Sequence, residues 1–89
     1  MHDANDNVLD RTSAQLVEAR VIAVARSHDL SARESQILVK LASGIDPKAI
    51  GHDLGCAYST VRTHLRRIAR KLGCGGTREI LIRLLSEIQ

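Results

Sequence analysis

Ser59-Thr60-Val61-Arg62-Thr63-His64-Leu65-Arg66-Arg67-Ile68-Ala69-Arg70-Lys71-Leu72 is the stretch from which the rest of the chain can be read. Val61, Leu65, Ile68 and Leu72 recur at i, i+4, i+7 and i+11, one stripe of a 3.6-residue helix. At about 100° per residue they fall within about 60° of one another. Ser59, Thr63, Arg66 and Arg70 project from the opposite side, with Arg62 and Arg67 on its flanks. The wet side carries Arg62, Arg66, Arg67, Arg70 and Lys71 and no acid. Solvated helix faces usually mix signs. One-sided positive charge on a rod of this width suits the major groove of duplex DNA.

Working outward, a short helix and a tight turn precede this one. Asp46 caps, Pro47 fits the first helical position, Ile50 and Leu54 face inward, and Gly55 ends the segment. A two-turn helix, a glycine turn and a longer basic helix make a helix-turn-helix. Further back, Ser31 and Glu34 form a capping box with Leu30 as hydrophobic staple. They open a helix to about Ser43 with Ile37, Leu38 and Leu41 inside, and Gly44 stops it. Residues 12–28 read as another helix, capped by Thr12 or Ser13, with Leu16, Val17, Val21, Val24 and Ala25 on its apolar side and Ile22 well round from it. Beyond Gly73-Cys74-Gly75-Gly76, Thr77 caps a last helix to about Ile88. Ile80, Leu81, Leu84 and Ile88 share its inner side, and Ile82 and Leu85 make a second apolar strip that reads as a dimer interface, against a lid on the first helix or chain-end residues that contact nothing.

The expected fold is therefore all-α. Residues 1–11 are expected as a flexible tail and 12–29 as an additional N-terminal helix for packing or dimerisation. Residues 30–89 form a four-helix helix-turn-helix domain.

Charge divides the same way. Residues 1–29 hold three arginines against five acids, whereas 30–89 hold ten basic residues against five acidic ones. That asymmetry points to a nucleic-acid or anionic-surface partner. The chain has one aromatic, Tyr58, and no Trp or Phe, which disfavours readers of single strands and RNA loops. Cys56 and Cys74 make no disulfide framework. With no apolar run of membrane length and no signal-peptide pattern, a cytoplasmic protein without a membrane partner is expected. Cys56, His64 and Cys74 match no zinc spacing and read better as small packed hydrophobes and a structural or phosphate-facing histidine. No nucleophile–base arrangement or phosphate-cradling loop is evident, so neither an enzyme, a cofactor nor a small-molecule ligand is expected.

These residues resemble a known family. Leu30-Ser31-x-Arg33-Glu34, Ile37-Leu38, Leu41-Ala42-x-Gly44, Lys48-x-Ile50, Leu54, Thr60-Val61-Arg62-Thr63-His64-Leu65, Ile68 and Lys71-Leu72-Gly73 are similar, in order and spacing, to the LuxR-type (FixJ/NarL, GerE-like) DNA-binding domain of bacterial transcription regulators. The resemblance covers about residues 30–85. It implies a sequence-specific regulator that binds an inverted-repeat operator as a homodimer, with the helix at 58–72 in the major groove. Base contacts are implied for Arg62, Thr63 and Arg66, and backbone contacts for Lys48, Ser59, Thr60, His64 and Lys71. Arg67 and Arg70, on the same basic face, join the backbone set. RNA polymerase is a further candidate partner.

The chain departs from the family pattern in three places. Ala57 stands where Ser or Thr usually opens the recognition helix, so Tyr58 or Ser59 has to take over. Gly51 stands where Ala is favoured, costing up to ~1 kcal/mol of helix preference or permitting close packing. Gly75-Gly76-Thr77 replaces Ser and Arg, implying a looser linker. Residues 1–29 are too short for the receiver or ligand-binding domain usual in front, which leaves a stand-alone small regulator or a C-terminal piece. Two other readings compete. One is a helix-turn-helix interaction module that sequesters another regulator through its acidic N-terminal segment and last helix. The other is a sigma-factor-like promoter domain, which the Leu30–Glu34 start and Lys71-Leu72-Gly73 fit less well.

Overall fold

The computed structural model describes the backbone of residues 2–88 and the side chains of residues 15–86. Among them are five helices and no strand: α1 (His2–Ser27), α2 (Ala32–Ala42), α3 (Pro47–Leu54), α4 (Tyr58–Leu72) and α5 (Thr77–Ile88).

α1 starts ten residues before the expected Thr12, so the backbone of residues 2–11 is helical. No Gly or Pro interrupts 2–27, and Asp3 and Asp6 stand in the opening turns, where the helix dipole favours acids. The side chains of Thr12, Ser13 and Ile88 lie outside the described residues. Val21, Val24 and Ala25 are buried as expected, but Leu16 and Val17 are exposed. Only the C-terminal half of α1 therefore supplies core residues among the described side chains.

The helix starts follow local chemistry. Ser31 Oγ accepts from the Glu34 amide at 3.1 Å while Glu34 Oε1 accepts from the Ser31 amide at 2.9 Å, completing the capping box. Asp46 Oδ1 accepts from the Ala49 amide at 3.0 Å, with Pro47 at the first helical position. Thr77 is the first residue of α5 rather than its cap. Glu79 does the work from inside the helix, accepting from the Gly75 amide at 2.8 Å, which ties down the glycine linker.

The four connections share one device. Each preceding helix ends in a pair of 6→1 and 5→2 backbone bonds, donated by Leu30 and Asp29, Ile45 and Gly44, Cys56 and Gly55, and Cys74 and Gly73. The residue after the turn is in every case a partly buried apolar side chain packed on the core: Leu30, Ile45, Cys56 and Cys74. This explains both cysteines as turn-anchoring hydrophobes. Glycine supplies the left-handed position three times, and Asp29 adopts it at φ 61°, which Asp tolerates better than most residues.

The core joins Val21, Val24 and Ala25 of α1 and Ile37, Leu38 and Leu41 of α2 to Ile50 of α3. It continues through Val61, Leu65, Ile68, Ala69 and Leu72 of α4 to Ile80 and Leu84 of α5. The aliphatic stripe of α4 lies inside, so its basic side must face out. Gly51 of α3 shows why a side chain is missing there. A Cβ on it would sit 2.8 Å from the Cys56 carbonyl oxygen and 3.4 Å from Val61 Cγ2. Close approach of α3 to the turn and to α4 requires the glycine.

Candidate nucleic-acid interface

α4 presents Tyr58, Ser59, Thr60, Arg62, Thr63, Arg66, Arg67 and Arg70 to solvent, and Lys48 is exposed on α3. Arg62, Thr63 and Arg66, the three residues expected to contact bases, share one side of α4 with Ser59 and Arg70, within about 100° of one another, and Arg67 and Thr60 lie further round. Among the described residues, no carboxylate pairs with Arg62, Arg66, Arg67 or Arg70. Unpaired guanidiniums keep their donor forks available for guanine edges and phosphates. Thr63 Oγ1 donates to the Ser59 carbonyl at 3.1 Å, so its hydroxyl proton is used within the helix. Ala57 occupies the N-cap of α4 and no side chain caps it, neither Tyr58 nor Ser59, since both are helical residues. The first-turn amides of α4 are therefore not covered by a cap and suit a phosphate.

Beside α4, an open cleft of about 520 Å³ runs towards the start of α5, lined by Tyr58, Arg62, Arg66, Arg70, Gly75 and Gly76 among others. It continues the basic surface.

Two residues of the expected backbone set stand apart from the rest in their surroundings. Lys71, expected on the DNA backbone, is exposed but paired with residues of the fold. Its Nζ donates to Glu34 Oε1 at 2.8 Å and to the Asp29 carbonyl at 3.1 Å. On the helix it lies about 180° from Arg62 and about 140° from Arg66. It clamps the last turn of α4 to the first turn of α2. Glu34 is only 3% exposed. Burial pushes its carboxyl up, but the Lys71 ammonium and the Ser31 donors outweigh that and hold it below its ordinary value of 4.5. Sequence spacing cannot show this pair, because its members are 37 residues apart. His64 is half-buried, and its Nδ1 is shielded with no hydrogen-bond partner. Only Nε2 is left to meet a phosphate.

The residue missed by sequence reasoning is Tyr58, considered there only as a possible helix opener. Its ring, 43% exposed, has Lys48 Nζ at 5.7 Å and Arg62 Cζ at 5.8 Å from its centroid. The Tyr58/Arg62 spacing of i, i+4 was the available signal.

Among the described residues no three His, Cys, Asp or Glu side chains converge on a possible metal site, and no helix is long and apolar enough to cross a membrane. The family profile of bacterial regulatory proteins of the luxR family matches residues 28–84. The chain belongs to the luxR family of bacterial regulatory proteins. It carries the DNA-binding helix-turn-helix of a transcription regulator, and its family is one of regulators rather than enzymes.

Relatives include the transcriptional regulatory protein TdiR of Thauera aromatica, 34% identical over 86 residues, covering 86% of this chain and 38% of that protein. The probable transcriptional regulatory protein NarL of Mycobacterium tuberculosis is 48% identical over 44 residues, covering 49% of this chain and 20% of its own length. The transcriptional regulatory protein UhpA of Salmonella typhimurium is 35% identical over 63 residues, covering 71% of this chain and 32% of its own length. The chain spans well under two thirds of each of these relatives. No solved structure matches it.

Proposed function

We propose that the chain regulates transcription in the bacterial cytoplasm by binding an inverted-repeat operator as a homodimer, with α4 in the major groove. The observation that carries the reading is the uncapped, acid-free outer side of α4. Arg62 and Arg66 read guanine O6 and N7, each worth ~1–3 kcal/mol of discrimination, and the Thr63 methyl meets a thymine methyl. Lys48, Ser59, Thr60, His64, Arg67 and Arg70 hold phosphates, while Lys71 serves the fold. Ile82 and Leu85, 55% and 62% exposed on α5, form the dimer contact, and a symmetric dimer fits a two-fold operator.

The test is binding to a duplex selected from a random pool, across a salt series. Affinity should fall steeply with salt, because phosphate contacts release counterions. Arg62→Ala and Arg66→Ala should each lower affinity for the selected duplex far more than for a scrambled one. If both leave the selected duplex bound as before, the base-contact assignment is wrong. The competing interaction-module reading is favoured by one observation, the exposed Leu16 and Val17 on α1. Salt-insensitive, sequence-indifferent DNA binding would move the balance to it.

A further inference from the structure

We propose that Tyr58 is a specificity-determining positioning residue, whose ring holds Arg62 of the recognition helix and Lys48 of the scaffold helix in one arrangement, so that base reading and phosphate anchoring are set together. The inference rests on the DNA-binding reading above and adds the contact of Lys48, which spacing along the chain does not assign.

Both cations lie within the ~6 Å at which an ammonium or guanidinium is attracted to an aromatic face, at 5.7 Å and 5.8 Å. No carboxylate competes for Arg62 among the described residues. Arg62 is one helical turn from Tyr58, so their contact is local, whereas Lys48 arrives from α3 across the turn. What lets it arrive is the glycine at 51. A Cβ there would lie 2.8 Å from the Cys56 carbonyl oxygen and 3.6 Å from the Tyr58 amide nitrogen. The bare backbone of α3 thus permits the approach that sets Lys48 over the ring. A free arginine samples many rotamers, and ordering it opposes binding. Resting on the ring, Arg62 is restrained before DNA arrives. The phenol hydroxyl takes no part, so phenylalanine should serve as well as tyrosine, and leucine should not.

The test uses the whole chain with Tyr58→Leu and Tyr58→Phe. Tyr58 is the sole aromatic among Phe, Tyr and Trp, so ring-current shifts are easily assigned. In the DNA-free protein, the Arg62 δ-methylene and Lys48 ε-methylene protons should be shifted upfield by NMR. Tyr58→Leu should return both to ordinary values, and Tyr58→Phe should keep both shifts. Binding is then measured on the selected and scrambled duplexes. Each cation contact is worth about two- to five-fold, so Tyr58→Leu should lose at most about twenty-five-fold on the selected duplex, were both contacts kept in the complex. Tyr58→Phe should stay within about two-fold of wild type, and Tyr58→Leu should cost less once Arg62 is alanine.

Unshifted wild-type Arg62 and Lys48 protons overturn the inference, as does a Tyr58→Leu protein that keeps wild-type discrimination. So does a Tyr58→Phe loss as large as the leucine loss, which would assign the effect to the hydroxyl. Failure of the DNA-binding reading shows differently, as a wild type that binds both duplexes equally.

Discussion

Lys71→Met separates a fold clamp from a DNA contact. The substitution keeps most of the aliphatic stem and removes the ammonium. Glu34, 3% exposed, then keeps the Ser31 amide as donor but loses its counter-ion. Breaking a fully buried pair from one side costs about 3–5 kcal/mol. Here the Lys71 side chain is 37% exposed, so water already screens part of the attraction, and a loss of about 2 kcal/mol is expected. For a domain of this size that lowers Tm by about 8–16 °C.

The pH dependence should change as well. In the wild type the Glu34 carboxyl is held below its ordinary 4.5, so its stabilisation is complete above that value and is lost as pH falls through the lowered one. Without Lys71, the upward push of burial meets only the Ser31 donors. The carboxyl rises, and the acid-sensitive part of the stability shrinks. Thermal melts by circular dichroism across the acid range read both effects. A variant Tm within about 2 °C of wild type at neutral pH, or an undiminished acid loss, refutes the clamp.

DNA binding gives an independent check on the same residue: each phosphate contact contributes about −0.9 to the salt slope, so Arg67→Ala or Lys48→Ala should flatten it by about one unit and Lys71→Met should leave it unchanged. Gly51→Val should destabilise the domain by about 1–3 kcal/mol in urea unfolding, because two branches must enter space already closed by the Cys56 carbonyl. Asp29→Gly should hold stability or raise it by up to about 1 kcal/mol, as glycine relieves the left-handed φ of 61°, whereas Asp29→Val should lower Tm. Ile82→Glu should leave the melt of the fold nearly intact, since that side chain is 55% exposed, while shifting sedimentation from dimer to monomer. An unchanged mass removes α5 from the dimer contact.

What the sequence alone determined were features governed by residues within one helical turn of each other. The Val61-Leu65-Ile68-Leu72 stripe, the Ser31/Glu34 capping box, the Asp46-Pro47 start and the glycine stops each depend on partners a few positions away. The chain itself holds such neighbours together, so spacing suffices to read them. The reading weakened where a local signal had two solutions. Nothing within a turn of Thr77 told a cap from a first helical residue, and Asp and Asn in residues 2–11 suggested a tail where the backbone is helical.

The tertiary structure alone shows that Lys71, unlike its basic neighbours on α4, is paired with a buried carboxylate. Lys71 looks like its basic neighbours in sequence. It differs only because α2 places a desolvated carboxylate beside it, and a buried charge demands its counter-ion far more strongly than water-screened phosphates attract a surface lysine. The glycine at 51 and the ring at 58 are decided the same way, by how closely two helices approach. Such distances belong to the packing of the whole core, and no short stretch of the chain encodes them.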